Sequence, residues 1–172
     1  ISCTKSRYVM TGFFVTGTDT GVGKTHISSC LLRELRSYGL KVAPFKPVAS
    51  GVNSHGENED INSLIEASAF TGSRDEICPY LFDEAIAPHI AAERTDKPVN
   101  LSVIQGAFER LVSDFDSVVV EGVGGWRVPI SSSEDIQSLA RRLNLPVIVV
   151  VGIRLGCINH GLLTLDAVSD ST

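Results

Sequence analysis

The sequence predicts a single α/β domain, a parallel sheet covered by helices on both faces. Two observations carry this. Short, continuously apolar strands alternate with helices that are apolar on one side, the pattern of βαβ units whose sheet is buried on both faces. Residues able to do chemistry cluster directly after the strands, in 17–25, 46–50, 121–126 and 152–159, which is where such sheets bind ligands. No repeat, low-complexity tract or linker divides the 172 residues, and that length suffices for one sizeable core.

Taken in order, residues 13–16 are a short apolar run closed by Gly17, a buried strand. In 24–38, Ile27, Leu31, Leu32 and Leu35 recur at helical spacing, and Gly39 stops the helix. Residues 41–48 read as a second strand, although Pro44 cannot donate to a ladder and suits an edge or a bulge. A polar loop over 50–59 leads to a short helix over 60–70, with Ile61, Leu64 and Ile65 on one face and Thr71-Gly72 at its end. Residues 101–112 form a stronger helix through Leu101, Ile104, Phe108, Leu111 and Val112. Val118-Val119-Val120 is a buried strand running into Glu121. Residues 135–143 are helical, Pro146 introduces the strand 147–151, and a last helix begins near Ile158 with Leu162, Leu163 and Leu165. Residues 1–9 lack any hydrophobic block and are read as an appendage to a domain spanning 10–172.

Composition excludes several classes. Apolar residues at 43% and charged residues at 20% describe a globular chain rather than a disordered one. Fifteen basic against 20 acidic side chains give a net charge of -5, which argues against nucleic acid as the main partner but not against a nucleotide, whose phosphates need only a local cation cluster. Cys3, Cys30, Cys78 and Cys157 show neither C-x-x-C nor zinc-ligand spacing, as expected of free thiols in a reducing compartment, so a cytoplasmic location is expected. The longest apolar run, 145–153, contains a proline and is too short to span a membrane, and no membrane association is expected.

The motif with the clearest chemistry is Gly17-Thr18-Asp19-Thr20-Gly21-Val22-Gly23-Lys24-Thr25, between a strand and a helix. Glycines let backbone N–H groups point at phosphate oxygens, Lys24 adds a cation, and the Thr25 hydroxyl is placed to hold Mg²⁺. Charge-assisted hydrogen bonds at roughly 1.5–3 kcal/mol each outweigh a helix dipole contribution of about 0.3–1 kcal/mol, so loop geometry and Lys24 carry the affinity. Relative to G-x-x-x-x-G-K-[ST], Thr18 occupies the first glycine position and the loop is one residue longer. A dinucleotide G-x-G-x-x-G fails, because its third glycine would fall on His26. The ligand expected is a nucleoside triphosphate, on a P-loop NTPase-like sheet.

Four further features surround this loop. Glu121, at the end of an apolar strand, suits Mg²⁺ coordination better than a lone strand-end acid once a phosphate loop is present. Asp60 opens a helix, where an N-cap and a metal ligand are equally good readings. Lys46 at a strand end is a candidate second cation, on the phosphates or on a substrate carboxylate, in place of a solvated surface lysine. Gly122, Gly124 and Gly125 make an open loop that a small ligand could approach, and Trp126 after it is better read as core than as a lid. His26, His55 and His160 lack metal-ligand spacing.

These motifs, with Phe45-Lys46-Pro47-Val48-Ala49-Ser50-Gly51, Ala87-Pro88-His89, Val120-Glu121-Gly122-Val123-Gly124-Gly125-Trp126 and Val150-Val151-Gly152-Ile153-Arg154-Leu155-Gly156-Cys157-Ile158-Asn159-His160, closely resemble the dethiobiotin synthetase family, in the right order from Met10 to Val168. The longer phosphate loop is a feature that family shares. The resemblance implies an ATP- and Mg²⁺-dependent cyclo-ligase of biotin synthesis that carboxylates 7,8-diaminononanoate with CO₂ and closes its ureido ring. It implies nucleotide contacts from Thr20, Gly21, Val22, Gly23, Lys24, Thr25 and Glu121, and Mg²⁺ on Thr25, Asp60 and Glu121. Lys46 and Lys24 would be the catalytic cations. Thr20, Lys46 and Ser50 would orient a substrate carbamate, and Gly124 would line the substrate space. Gly156, Cys157, Ile158 and Asn159 would bind the substrate's distant carboxylate at a helix N-terminus, contributed by the other subunit of a homodimer.

Two features bear on competing readings. Partner-regulated switch ATPases of the same broad fold carry a lysine early in the loop, where this chain has Asp19. Members of the resembled family continue through another strand, an adenine-contacting segment and a C-terminal helix, so the chain is expected to be truncated or incomplete, with adenine recognition compromised. A nucleotide-binding homologue without catalysis is therefore the third reading.

Overall fold

A computed structural model describes residues 11–170; the appendage expected at 1–9 lies outside them. The chain runs β1 (Gly12–Gly17), α1 (Lys24–Ser37), β2 (Val42–Phe45), β3 (Val48–Ser50), α2 (Glu59–Ser68), α3 (Arg74–Ile77), β4 (Tyr80–Phe82), α4 (Pro88–Arg94), α5 (Leu101–Asp114), β5 (Ser117–Glu121), α6 (Ile136–Leu143), β6 (Val147–Val150) and α7 (Cys157–Ser169). Four strands form a wholly parallel sheet in the order β2-β5-β1-β6, and β3 and β4 pair as a separate parallel ribbon.

Strand alternation divides the sheet into two cores. Phe14, Ala43, Phe45, Val118 and Val120 face one side, where Ile104, Phe108 and Leu111 of α5 and Ile136 and Leu139 of α6 cover them. Val15, Val42 and Val119 face the other, against Leu32 of α1 and Leu64 and Ala67 of α2. This is the two-faced burial that continuous apolar strands call for. Trp126 belongs to the first core, as its sequence reading favours. It is 3% exposed, edge-on to Phe14 at 6.2 Å between ring centroids, and its Nε1–H donates to the Ala167 carbonyl at 3.2 Å.

The strand expected over 41–48 is two strands, and its prolines explain the break. Pro44 lies in β2, an edge strand that among the described residues pairs with β5 alone, and an edge is where a missing N–H is tolerated. Beyond Phe45 the chain leaves the sheet. The Lys46 N–H donates to the Ile77 carbonyl at 2.9 Å, and the Pro47 carbonyl accepts from the Tyr80 N–H at 3.1 Å. β3 then pairs with β4 instead. The small elements α3, β4 and α4 have no counterpart in the sequence reading, because each is too short to show periodicity.

The far edge of the sheet is different in character. Val147, Ile148 and Val149 of β6 are half-buried, and α7 fully buries only Gly161. Ile153, Leu155, Ile158, Leu162 and Leu163 are exposed by 58% or more. No helix of the described residues is long and apolar enough to cross a membrane.

The packing of α5 on the sheet yields a test. Ile104 is fully buried, so Ile104→Ala should lower the urea-derived unfolding free energy by about 2–5 kcal/mol with an unchanged m-value.

Candidate functional site

The phosphate loop is built by backbone geometry. Gly21 at φ 71° and Gly23 at φ 99° adopt left-handed conformations that favour glycine, and they turn the chain from β1 into the N-terminus of α1. Val22 does not face the cleft as a side chain. It packs beside Gly17 and Gly152, where a Cβ would come within 2.7 Å and 2.9 Å of its methyl groups. Lys24 is buried, and its Nζ donates to the Asp19 carbonyl at 2.8 Å. Burial, and then the neighbouring Lys46 ammonium, hold the Lys24 pKa below the usual lysine value.

Beneath this loop lies a charged cluster assembled from four elements. Phe45 of β2 pairs in register with Val120 of β5, so the residues just beyond them, Lys46 and Glu121, meet. Lys46 is 4% exposed and Glu121 is fully buried, and the Lys46 Nζ donates to Glu121 Oε1 at 2.6 Å. The same ammonium donates to Asp60 Oδ2 at 2.8 Å, and the Thr25 hydroxyl lies 2.9 Å from both Asp60 Oδ1 and Glu121 Oε1. Burial alone would drive the Lys46 pKa down, but the attraction of Glu121 and Asp60 outweighs it and the net shift is upward. Asp60 shows the mirror image. Burial pushes its carboxyl up, while Lys46, Thr25 and Lys24 bring it below the usual aspartate value.

Asp60 is thereby freed from the alternative left open for it. The N-cap of α2 is Asn58, whose side chain accepts from the Ile61 N–H at 3.1 Å and donates to the Gly51 carbonyl at 2.8 Å. Asp60 sits inside the first turn and is aimed at Thr25 and Lys46. Asn58 is a positioning residue that sequence reasoning missed, because a cap two residues ahead of the expected helix start fell inside a polar loop.

Thr20, Gly21, Gly23, Lys24 and Thr25 line one side of a cleft of about 400 Å³. Lys46, Ser50, Asp60 and Gly124 line the other, together with Val123, which had no expected role. Glu121 is fully buried behind this lining, in contact with Thr25 and Lys46. Gly156, Cys157, Ile158 and Asn159 do not reach this cleft. They open α7, with Gly156 as the left-handed N-cap, and all but the half-buried Cys157 are exposed.

A protein-family model described as an AAA domain matches residues 11–172. The chain is 46% identical over 163 residues to the ATP-dependent dethiobiotin synthetase BioD of Janthinobacterium sp. (strain Marseille), covering 91% of this chain and 69% of that protein. It is 47% identical over 157 residues to the same-named protein of Nitrosospira multiformis, with 91% and 69% covered, and 42% identical over 161 residues to that of Photobacterium profundum, with 92% and 73% covered. The chain belongs to the ATP-dependent dethiobiotin synthetase family.

The cluster of this dethiobiotin synthetase family member fits a magnesium ion. Three oxygens converge, Thr25 Oγ1, Asp60 Oδ1 and Glu121 Oε1, and Glu121 Oε2 is buried with no hydrogen-bond partner among the described residues. Two carboxylates and a hydroxyl make a hard oxygen set of the kind Mg²⁺ takes alongside phosphate oxygens. Among the described residues no group of three His, Cys, Asp or Glu side chains could hold a metal, so the threonine and the nucleotide's own oxygens have to complete the shell. The Lys46 ammonium, paired with both carboxylates, supplies positive charge to them.

That arrangement predicts an unusual variant. Lys46→Met leaves Glu121 buried without its counter-charge and should destabilise the metal-free protein by about 3–5 kcal/mol. Added Mn²⁺ should recover part of that loss and raise the melting temperature more than it does for the parent. Equal metal effects on both proteins would contradict the role of Lys46 as internal counterion.

Proposed function

We propose that this chain makes dethiobiotin, using ATP and Mg²⁺ to join CO₂ to 7,8-diaminononanoate and close its ureido ring. One observation carries the reading beyond a generic nucleotide site. The Lys46 ammonium is buried between Glu121 and Asp60, and Ser50, lining the same cleft, has a buried hydroxyl oxygen with no partner among the described residues. A second cation and an unpaired hydroxyl facing a phosphate loop suit an anionic nucleophile such as a carbamate.

The chemistry follows from charge. One substrate amine adds to CO₂ and loses a proton, forming a carbamate that Lys46, Ser50 and Thr20 would orient. A carbamate oxygen attacks the γ-phosphorus of ATP while the bond to the ADP oxygen breaks, giving a carbamic–phosphoric anhydride. The second amine attacks the carbonyl carbon, phosphate departs, and the amine's proton is lost as the ring closes. Phosphoryl transfer of this kind rests on positioning and charge neutralisation. Lys24, Lys46 and the backbone N–H groups of 20–25 would provide both. Thr25, Asp60 and Glu121 would hold Mg²⁺, which would supply further positive charge to the transferring phosphoryl group.

We further propose a cytoplasmic homodimer in which Gly156, Cys157, Ile158 and Asn159 hold the substrate's distant carboxylate in the partner's site. Three observations support it. These residues open a helix, whose N-terminal N–H groups favour anions. They stand apart from the cleft of their own chain, and Ile158 and its sequence neighbours Ile153, Leu155 and Leu162 are exposed apolar residues. Free thiols at Cys30, Cys78 and Cys157 accord with a reducing compartment.

The parent chain incubated with diaminononanoate, bicarbonate, ATP and Mg²⁺ should form dethiobiotin. Lys24→Ala should lose roughly two to three orders of magnitude in turnover. ATP hydrolysis indifferent to the diamine would sink the reading in favour of a switch ATPase. Nucleotide binding with no turnover would favour the non-catalytic homologue. The shared site has its own test in mixed subunits. Lys24→Ala and Asn159→Ala chains, each inactive alone, should on mixing regain roughly a quarter of parental activity, because half of the dimers then hold one intact site. No recovery on mixing would place both residues in one subunit's site.

A further inference from the structure

The phosphate loop carries a negative charge of its own. Asp19 stands directly before Thr20, in a loop that has to receive a polyanion, and all three of its oxygens are engaged. Oδ1 accepts the Thr20 N–H at 2.7 Å, the backbone carbonyl accepts Lys24 Nζ at 2.8 Å, and Oδ2 accepts the Arg154 guanidinium. The Thr20 backbone N–H first, and then Arg154, hold the carboxyl below the usual aspartate range, so Asp19 is ionised at neutral pH.

Arg154 comes from the neighbouring crossover. β1 and β6 pair with Gly17 opposite Val150, and the Thr18 N–H donates to the Val150 carbonyl at 3.0 Å. The phosphate loop and the loop before α7 therefore leave the sheet side by side, and the Asp19–Arg154 pair is the ion pair that joins them. Both side chains are about half exposed, so the pair adds little to global stability. Its consequence is local. An unpaired carboxylate at this position would repel a triphosphate and compete for Lys24, and the loop around Thr20 would lose its tether.

We propose that Arg154 is a positioning residue for nucleotide binding, which neutralises Asp19 and ties the phosphate loop to the loop that opens α7. This rests on the reading of that loop as the nucleotide site. The proposed carboxylate subsite at Gly156–Asn159 begins two residues after Arg154, so the same contact would hold the two anion-binding loops in register.

A double-mutant cycle on Mg²⁺–ATP affinity, measured by calorimetry, tests it. Arg154→Ala should weaken ATP binding on the order of fivefold at low salt, the size an exposed ion pair can carry, while Arg154→Lys stays within about twofold. The loss should shrink as salt is raised from about 0.05 to 0.5 M. In an Asp19→Asn background, removing Arg154 should change affinity by less than about twofold, since its partner's charge has gone. Melting temperatures of the Arg154 variants should match the parent's. Equal losses in both backgrounds, or no loss in either, overturn the proposal. A parent chain that binds no ATP removes the nucleotide site itself, a different failure visible before any variant is made.

Discussion

A lysine ammonium and a glutamate carboxylate lie 2.6 Å apart beneath the carboxyl end of the sheet, both almost fully removed from water. Neither charge could remain there alone, since burying an unpaired ion costs several kcal/mol or more. Their pairing in turn constrains the fold. β2 and β5 must be neighbours in a parallel sheet with Phe45 opposite Val120, or Lys46 and Glu121 would not meet. α1 must start where Thr25 reaches both acids, and α2 must be capped by Asn58 so that Asp60 can turn inward. The cleft is thus one electrostatic unit drawn from four separate stretches of chain.

Such a unit would let one site serve metal, nucleotide and nucleophile. The carboxylates need a positive charge, which Lys46 supplies in the protein alone. A magnesium ion bound to the same oxygens would take over that duty and leave the ammonium available to a phosphate or a carbamate. Lys24 is already partly desolvated and is repelled by Lys46, so an incoming polyanion relieves a tension present in the protein. These are arrangements for charge that develops in flight between two oxygens, the situation of phosphoryl transfer.

Much of this was legible in the sequence, and what was not has physical causes. The phosphate loop announced itself because glycine spacing, a following Lys-Thr and a flanking strand and helix have few other uses. Glu121 was legible as a carboxylate on an apolar strand. Asp60 was ambiguous from the residues alone because a helix start invites two readings; the family resemblance favoured the metal, and Asn58 as the N-cap removes the other reading. The break between β2 and β3 was half legible. Pro44 flagged an edge, but the departure of the chain at Lys46 depends on Ile77 and Tyr80, more than 30 residues away. The ribbon strand β4 and the short helices α3 and α4 left no periodic signal. Arg154 sat inside a recognised motif without a role, because an ion pair across 135 residues is invisible to spacing.

In the proposed reaction this cluster brings a carbamate oxygen onto the γ-phosphorus of ATP. Isotope transfer tests it most directly. With ¹⁸O-labelled bicarbonate, diaminononanoate, ATP and Mg²⁺, and phosphorus NMR to read the isotope shift, the phosphate released should carry a labelled oxygen inherited from the carbamate. Unlabelled phosphate accompanying dethiobiotin, or phosphate released at the same rate without the diamine, would show that no carbamate oxygen reaches the γ-phosphorus.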